Sequence, residues 1–296
     1  MSKLKILLTG GNGFIGRNIK ESFLKESYEL VAPSKVELDL IDDESVKSYF
    51  LKKSFDAVIH AAAMPSHRNA IITNDIIASN SRMFFNLLQH QNNWGKLLLI
   101  GSGGCYDLEN YQPKMQESYF GTHIPKDAHG YTKYIIGQLL PSLKNIYDLR
   151  VFGIYGKYED YTIRFISNAI CKTLFNLPIT LRQDKLFDYI YIDDLMPILT
   201  HFIENTPKEK AFNITPDTSQ SLAEIAKAVN LYAGNKSEIK IANAGQGLHY
   251  SGCNLRLRSE MPNLKFTTIE EGVFRLYQWY SDNQNLIDKN KLLLDK

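Results

Sequence analysis

Residues 9–16 read TGGNGFIG, and no other stretch constrains the fold of this chain as tightly. Gly10, Gly13 and Gly16 follow a short apolar run at 4–9 and open a segment in which Ile15, Ile19 and Phe23 recur at i, i+4 and i+8. Such a run reads as a buried strand, and such a recurrence as one face of a helix. Glycines between them let the backbone turn tightly and approach a pyrophosphate, while the unpaired N–H groups of the helix's first turn offer donors and a partial positive charge. Asn12, Phe14 and Ile15 belong to the same loop and first turn. The spacing therefore predicts a strand, loop and helix that hold a dinucleotide.

The alternation continues beyond this unit. Strands are expected at 28–32, 36–40, 56–60, 96–100 and 149–152, and helices at 42–53, 74–92 and 128–147, the last with a kink or an early break at Gly137 and Pro141. Strands separated by helices argue for a parallel sheet wrapped on both faces. Past Gly156 the pattern loosens, with helices expected at 161–175, 193–205, 219–232 and 268–282 and short strands near 178–181, 187–191, 211–214 and 238–241. The expected fold is α/β: a Rossmann-type doubly wound parallel sheet with a smaller α/β C-terminal part. Residues 1–156 would form the NAD(P)-binding domain and 157–296 the substrate-binding part, with 177–205 returning to the first domain.

Composition excludes several classes. The 296 residues are 44% hydrophobic and 22% charged, which argues against disorder and fibrous repeats. Thirty-four basic against 32 acidic residues leave a formal charge of +2, giving no electrostatic case for nucleic acid. Cys105, Cys171 and Cys253 are odd in number and lack a CxxC spacing, so neither a disulfide framework nor a zinc site is read, and a cytoplasmic location is expected. The opening MSKLKILLTGG is too short in its apolar part for a signal peptide, and no membrane span is expected.

The second strand bears on the dinucleotide's identity. A carboxylate at its end would bind the adenosine ribose 2′-hydroxyl and favour NAD. Here Ser34 and Lys35 follow, a hydroxyl and a cation that suit a 2′-phosphate, so NADP is favoured. NAD stays open if Lys35 is simply a solvated loop cation.

Eight segments together resemble the extended short-chain dehydrogenase/reductases, the nucleotide-sugar epimerase and reductase family, and most of all its GDP-fucose synthase-like branch. They are TGGNGFIG (9–16), VELDLID (36–42), AVIHAAA (57–63), IASNSRMFFNLL (77–88), LLLIGSGGCY (97–106), HGYTKY (129–134), RVFGIYG (150–156) and FDYIYIDDL (187–195). The resemblance implies that Asp39 and Leu40 contact the adenine, that Ala61, Ala62 and Ala63 line the dinucleotide, and that Asn80 lies beneath it. It also implies a nucleotide-diphosphate sugar as substrate and a homodimer built on the helices at 74–92 and 127–147.

The family's chemistry uses a Ser or Thr hydroxyl, a Tyr, and a Lys four residues after that Tyr. Ser102 and Lys133 match, and Lys133 would also hold the nicotinamide ribose. At the Tyr position stands His129. Tyr131 lies only two residues from Lys133, a rotation of about 200° on a helix that aims it away from the cleft. Three readings stand side by side. His129 replaces the phenol, with Lys133 depressing its pKa and making it a better base than acid. Alternatively, hydride chemistry has been lost while ligand binding remains. In the third, an irregular helix start lets Tyr131 reach in.

Gly103 and Gly104 stand where the family's dehydratases carry an acidic pair, which disfavours dehydration. Cys105 is one position off the cysteine of the double epimerases, and no His falls between Gly156 and Thr200. Reduction of a 4-keto sugar or 4-epimerisation remains, and an NADP preference points to reduction. Arg164, Arg182 and Lys185, with Arg256 or Arg258, are candidate clamps for the substrate's diphosphate, since guanidinium geometry matches phosphate oxygens, while Phe187 stands where the family commonly has an Arg and so departs from its usual diphosphate contact. Asp193 and Asp194 read as a helix N-cap, and His60, His67 and His249 have no metal spacing.

Overall fold

The computed structural model describes residues 2–64 and 75–293. His67 and the beginning of the helix expected at 74–92 lie outside them. Six strands form one sheet: β1 (Lys5–Thr9), β2 (Glu29–Val31), β3 (Phe55–His60), β4 (Trp94–Ser102), β5 (Ile146–Val151) and β6 (Ala211–Ile214). Their order is β6-β5-β4-β3-β1-β2, and every neighbouring pair is parallel. The interior strands are apolar nearly throughout, as a sheet covered on both faces requires. The order reverses beside β1, which opens a crevice at the carboxyl ends of β1 and β3.

Among the described residues there are eight longer helices, α1 (Phe14–Glu21), α2 (Asp43–Phe50), α3 (Ile76–Gln89), α4 (Ala128–Leu139), α5 (Phe165–Leu174), α6 (Leu195–Glu204), α7 (Leu222–Tyr232) and α8 (Ile269–Asp282), with shorter turns at 24–27, 255–260 and 289–292; α5, α7 and α8 pack on one another beside the smaller strands of the C-terminal part. Acceptors at their first turns are spelled in the sequence. Asp42, Asp75, Asp127, Ser221 and Thr268 each accept backbone N–H groups at a helix start. Among the described residues no helix is long and apolar enough to cross a membrane.

Two expectations are corrected. Residues 36–40 form no strand: the N–H groups of Glu37 and Leu38 both turn back to the Ser34 carbonyl, at 3.1 and 3.0 Å. The alternation that suggested a strand survives as burial, since Leu38 and Leu40 are in the core while Val36 is 97% exposed. The helix expected over 128–147 ends at Leu139. Pro141 has no N–H to continue it, residues Leu140–Ser142 tighten into a 3₁₀ turn, and Asn145 adopts φ +55° before β5 begins at Ile146. Leu143 and Ile146 are therefore apolar for the sheet and its packing, not for a helix face.

The second half is tied into the first. Strand β6 hydrogen-bonds along β5, and the Lys96 ammonium on β4 donates to the carbonyls of Phe202, Ile203 and Asn205 at the end of α6. Three small two-stranded sheets are also present among the described residues: Gly153–Tyr155 with Tyr189–Tyr191, Leu186–Phe187 with Gln220–Ser221, and Ile179–Asp184 with Ile239–Gln246.

Candidate active site

The glycine loop forms a cradle that side chains would fill. Gly10 has φ +71°, and a Cβ there would lie 2.5 Å from the Ala62 nitrogen. A Cβ on Gly16 would collide with the Gly10 carbonyl, so glycine at 16 lets α1 close onto the loop. No side chain caps α1 at Gly13, which leaves its first-turn N–H groups directed at the crevice. Phe14 and Ile15 turn toward the core and anchor the helix start. The cleft over this loop is bounded by Asn12 and Gly13 on one side, Lys35, Asp39 and Leu40 on the second, and Ala61 to Ala63 on the third. These residues fit an adenosine diphosphate: donors without side-chain competition, an apolar floor and no bulk above the glycines.

Ser34 and Lys35 do not stand free at its rim. The Glu37 carboxylate accepts both the N–H and the hydroxyl of Ser34, at 2.7 and 2.8 Å, and Asp39 pairs with Lys35 at 3.6 Å. The Ser34 hydrogen bonds hold the Glu37 carboxyl below the usual carboxylate range. Asn80 is nearly buried and accepts the Met64 N–H at 2.7 Å, which fixes the chain after β3.

Ser102 ends β4, and its Oγ accepts the Gly104 N–H at 3.0 Å. A Cβ on Gly104 would lie 3.3 Å from that Oγ and 3.6 Å from His129 Cδ2, so hydroxyl and imidazole flank one stretch of backbone. Asp127 caps α4 at Gly130, and a Cβ on Gly130 would collide with the Gly104 carbonyl. The two glycines thus bring the helix against the loop and set His129 beside Ser102. Burial, then the Lys133 cation and Arg164, lower the His129 pKa to about 4 against the opposing pull of Asp127, which leaves the imidazole neutral at pH 7.

Lys133 follows one turn later. Its ammonium donates to the Ile100 carbonyl at 2.8 Å and borders a small cavity with His60, Asn80 and Asp148. Burial lowers its pKa, while Asp148 favours the charged form. His60 is fully enclosed, 2.8 Å from the Thr9 hydroxyl, and burial followed by Lys133 depresses it to about 3. Tyr131 points to the surface at 36% exposure. The irregular start that would turn it inward is absent, since Tyr131 N–H bonds Asp127 C=O in an ordinary first turn.

The candidate clamps separate. Arg164, exposed at the start of α5, acts on the same imidazole that Lys133 does. Arg182 is exposed on the strand Ile179–Asp184, and the Lys185 ammonium stands 5.3 Å over the Phe187 ring. Arg256 and Arg258 are taken: Arg256 pairs with Glu209 at 3.3 Å and Arg258 forks onto Asp217. Asp194 does more than cap a turn. Its carboxylate accepts the Tyr191 N–H and both the N–H and hydroxyl of Thr267, stitching the C-terminal region to the 187–195 segment, while Asp193 faces Arg275 at 3.7 Å.

Sequence reading missed the support beneath these residues. Asp148 and Arg150 form a buried pair on β5, and Arg150 also donates to the Tyr106 hydroxyl, which donates to Asn213. The signal was present as two charges inside the otherwise apolar run IYDLRV. Nothing local marked Tyr250, which the segment after Gln246 carries back to Gly103.

A glycine cradle at the switch point of a doubly wound sheet, with a serine, an imidazole and a lysine converging at the next strand ends, defines a dinucleotide-binding oxidoreductase type of site. The chain belongs to the NAD dependent epimerase/dehydratase family, whose sequence profile matches residues 6–215. Among curated relatives it is similar to the GDP-L-colitose synthase of Yersinia pseudotuberculosis, 22% identical over 95% of this chain and 99% of the relative. Among solved structures it resembles a GDP-L-fucose synthetase from Naegleria fowleri bound to NADP, with a TM-score of 0.82, 16% identity and coverage of 95% of this chain and 93% of that one. It also resembles the GDP-mannoheptose C4 reductase from Campylobacter jejuni with NADP bound, with a TM-score of 0.79, 20% identity and coverage of 95% and 99%.

Proposed function

We propose that this protein is an NADP-dependent reductase of a nucleotide-activated 4-keto sugar. The observation that carries the reading is the convergence of Ser102, His129 and Lys133 at the strand ends beside the glycine cradle. When bound, the reduced nicotinamide supplies the hydride. The chain's own part is to bind and to manage the proton. Gly10, Gly13 and Gly16 accept the pyrophosphate, Asp39 and Leu40 border the adenine, and the Lys133 ammonium supports the ribose next to Ser102. The Ser102 hydroxyl and the neutral His129 ring hold the sugar's carbonyl oxygen by hydrogen bonds. An imidazole at about 4 is no imidazolium at neutral pH, so it orients and polarises as a neutral ring. Arg164, whose charge acts on the His129 ring, is the proposed clamp for the diphosphate, and residues 157–296 complete the sugar side.

NADP is favoured over NAD because the Lys35–Asp39 pair is exposed and four residues apart, the kind of pair a phosphate dianion displaces at little cost. We propose a homodimer through α3 and α4, which pack side by side.

A second reading, a dinucleotide-binding protein without turnover, draws on the depressed His129 and on Lys133 being engaged with Ile100. His129→Ala separates them in a chain that turns over: rate is abolished while cofactor binding persists. Unchanged turnover in that variant removes His129 from the reaction, and gain of rate in His129→Tyr shows a pocket otherwise competent.

A further inference from the structure

The loop after β4 meets a phenol that no family motif supplies. Tyr250 is locked by its backbone: its N–H donates to Leu186 C=O and its C=O accepts Asp188 N–H, both at 3.0 Å. Its ring is wedged among Phe187, Tyr111 and Phe152, with centroids at 4.7, 5.0 and 5.2 Å. A Cβ on Gly103 would lie 2.5 Å from the Tyr250 hydroxyl oxygen, so the place a side chain at 103 would take belongs to this phenol. Gly103 is the neighbour of Ser102 and of Gly104, the residue that Ser102 Oγ and His129 flank. The other two phenols of the group are used internally, Tyr106 with Asn213 and Tyr111 with the Ser251 carbonyl. The Tyr250 hydroxyl makes no hydrogen bond among the described residues, and because it is not one of their enclosed unpartnered polar atoms it keeps contact with solvent. A rigidly held phenol whose hydroxyl keeps contact with solvent and has no acceptor of its own is free to donate to a ligand.

We propose that Tyr250 donates the hydrogen bond, and then the proton, to the carbonyl oxygen of the bound keto sugar, in place of the phenol missing at position 129. This rests on the reductase reading. As hydride adds to the carbonyl carbon, the C=O π pair moves onto oxygen. The Tyr250 O–H bond breaks, a new O–H bond forms on the sugar, and the phenolate regains a proton from water. Burial, followed by Cys105, Tyr106, Asp188 and Asp127 around it, raises the phenol pKa, so the group stays protonated until a developing alkoxide draws on it. His129, neutral across Gly104 from Ser102, then serves as an orienting partner.

Tyr250→Phe tests this in two ways. In the chain turning over an NDP-4-keto sugar with NADPH, kcat is expected to fall by about 10²-fold or more, with NADPH affinity in the absence of sugar unchanged. By calorimetry without cofactor, the variant is expected to bind the 4-keto nucleotide sugar more weakly and the bare nucleoside diphosphate equally well. 3-Fluorotyrosine at 250, a more acidic phenol, is expected to move the alkaline limb of the kcat profile to lower pH, which a wedge-only role would not do. Phenylalanine retaining kcat within about threefold, or losing nucleoside diphosphate and keto sugar affinity alike, overturns the assignment. An inactive wild-type chain instead counts against the reductase reading, and the calorimetric arm still decides whether Tyr250 meets the ketone.

Discussion

Arg150 Nε donates to Asp148 Oδ2 at 2.9 Å inside the sheet, two residues apart on one face of β5. The guanidinium also stacks over Phe120 at 4.1 Å and donates to Tyr106, so one buried cation organises the loop that follows Ser102. Asp148 in turn occupies the room left by Gly101 and borders the cavity of Lys133. Removing one member of a buried pair strands the other's charge, at a cost of about 3–5 kcal/mol. Asp148→Asn is therefore expected to lower stability on that scale in urea unfolding, and to weaken cofactor binding through Lys133. A loss below about 1 kcal/mol would contradict the account.

At the opposite end of the crevice, the cradle depends on backbone freedom. Gly10→Ala must place a Cβ against the Ala61–Ala62 backbone at φ +71°. The expected outcome, in titrations followed by nicotinamide fluorescence, is loss of NADPH affinity by more than about tenfold, with a stability loss of about 1–3 kcal/mol.

Cofactor preference is predicted to depend on Glu37 and Lys35 at the rim. Glu37→Gln removes a negative charge that holds Ser34, so the NADPH to NADH affinity ratio should rise. Lys35→Glu should lower it. No change in the ratio for either variant would remove this rim from 2′-phosphate recognition.

Buried Glu159 gives a pH test of the fold. Burial raises its pKa from 4.5 to about 8, against the Ser167 hydrogen bond and Arg164. Between those values the folded chain keeps a proton that the unfolded chain releases, so this group makes stability fall as pH rises from about 4.5 to about 8. His60 and His129, depressed from 6.5 to about 3 and about 4, act in the other sense: their contribution is complete above 6.5 and is lost as pH falls through that range. Glu159→Gln should remove the alkaline slope in urea midpoints and leave the acid limb intact.

Much of this arrangement was legible before any coordinates. The glycine spacing at 9–16 and the apolar runs at 4–9, 56–60 and 96–100 are local signals, and each produced its element. The 36–40 segment failed because alternation reports burial, and Leu38 and Leu40 are buried without a partner strand. The spacing of Ser102, His129 and Lys133 is local and so readable from the sequence, whereas the sequence leaves Tyr131 open and the ordinary first turn of α4 keeps it at the surface. Arg256 and Arg258 looked like clamps until Glu209 and Asp217 were seen opposite them, partners that lie 47 and 41 residues away in the chain. Tyr250 was out of reach for the same reason: 147 residues separate it from Gly103, and only the folded chain joins them.

The central claim is that the chain transfers hydride to a sugar ketone. Its most direct test is to mix the purified protein with NADPH and an NDP-4-keto sugar, follow the absorbance of the reduced nicotinamide, and identify the sugar product by mass spectrometry. The account predicts consumption of one NADPH for each nucleotide sugar that gains two hydrogens. Tight NADPH binding with no consumption would contradict it.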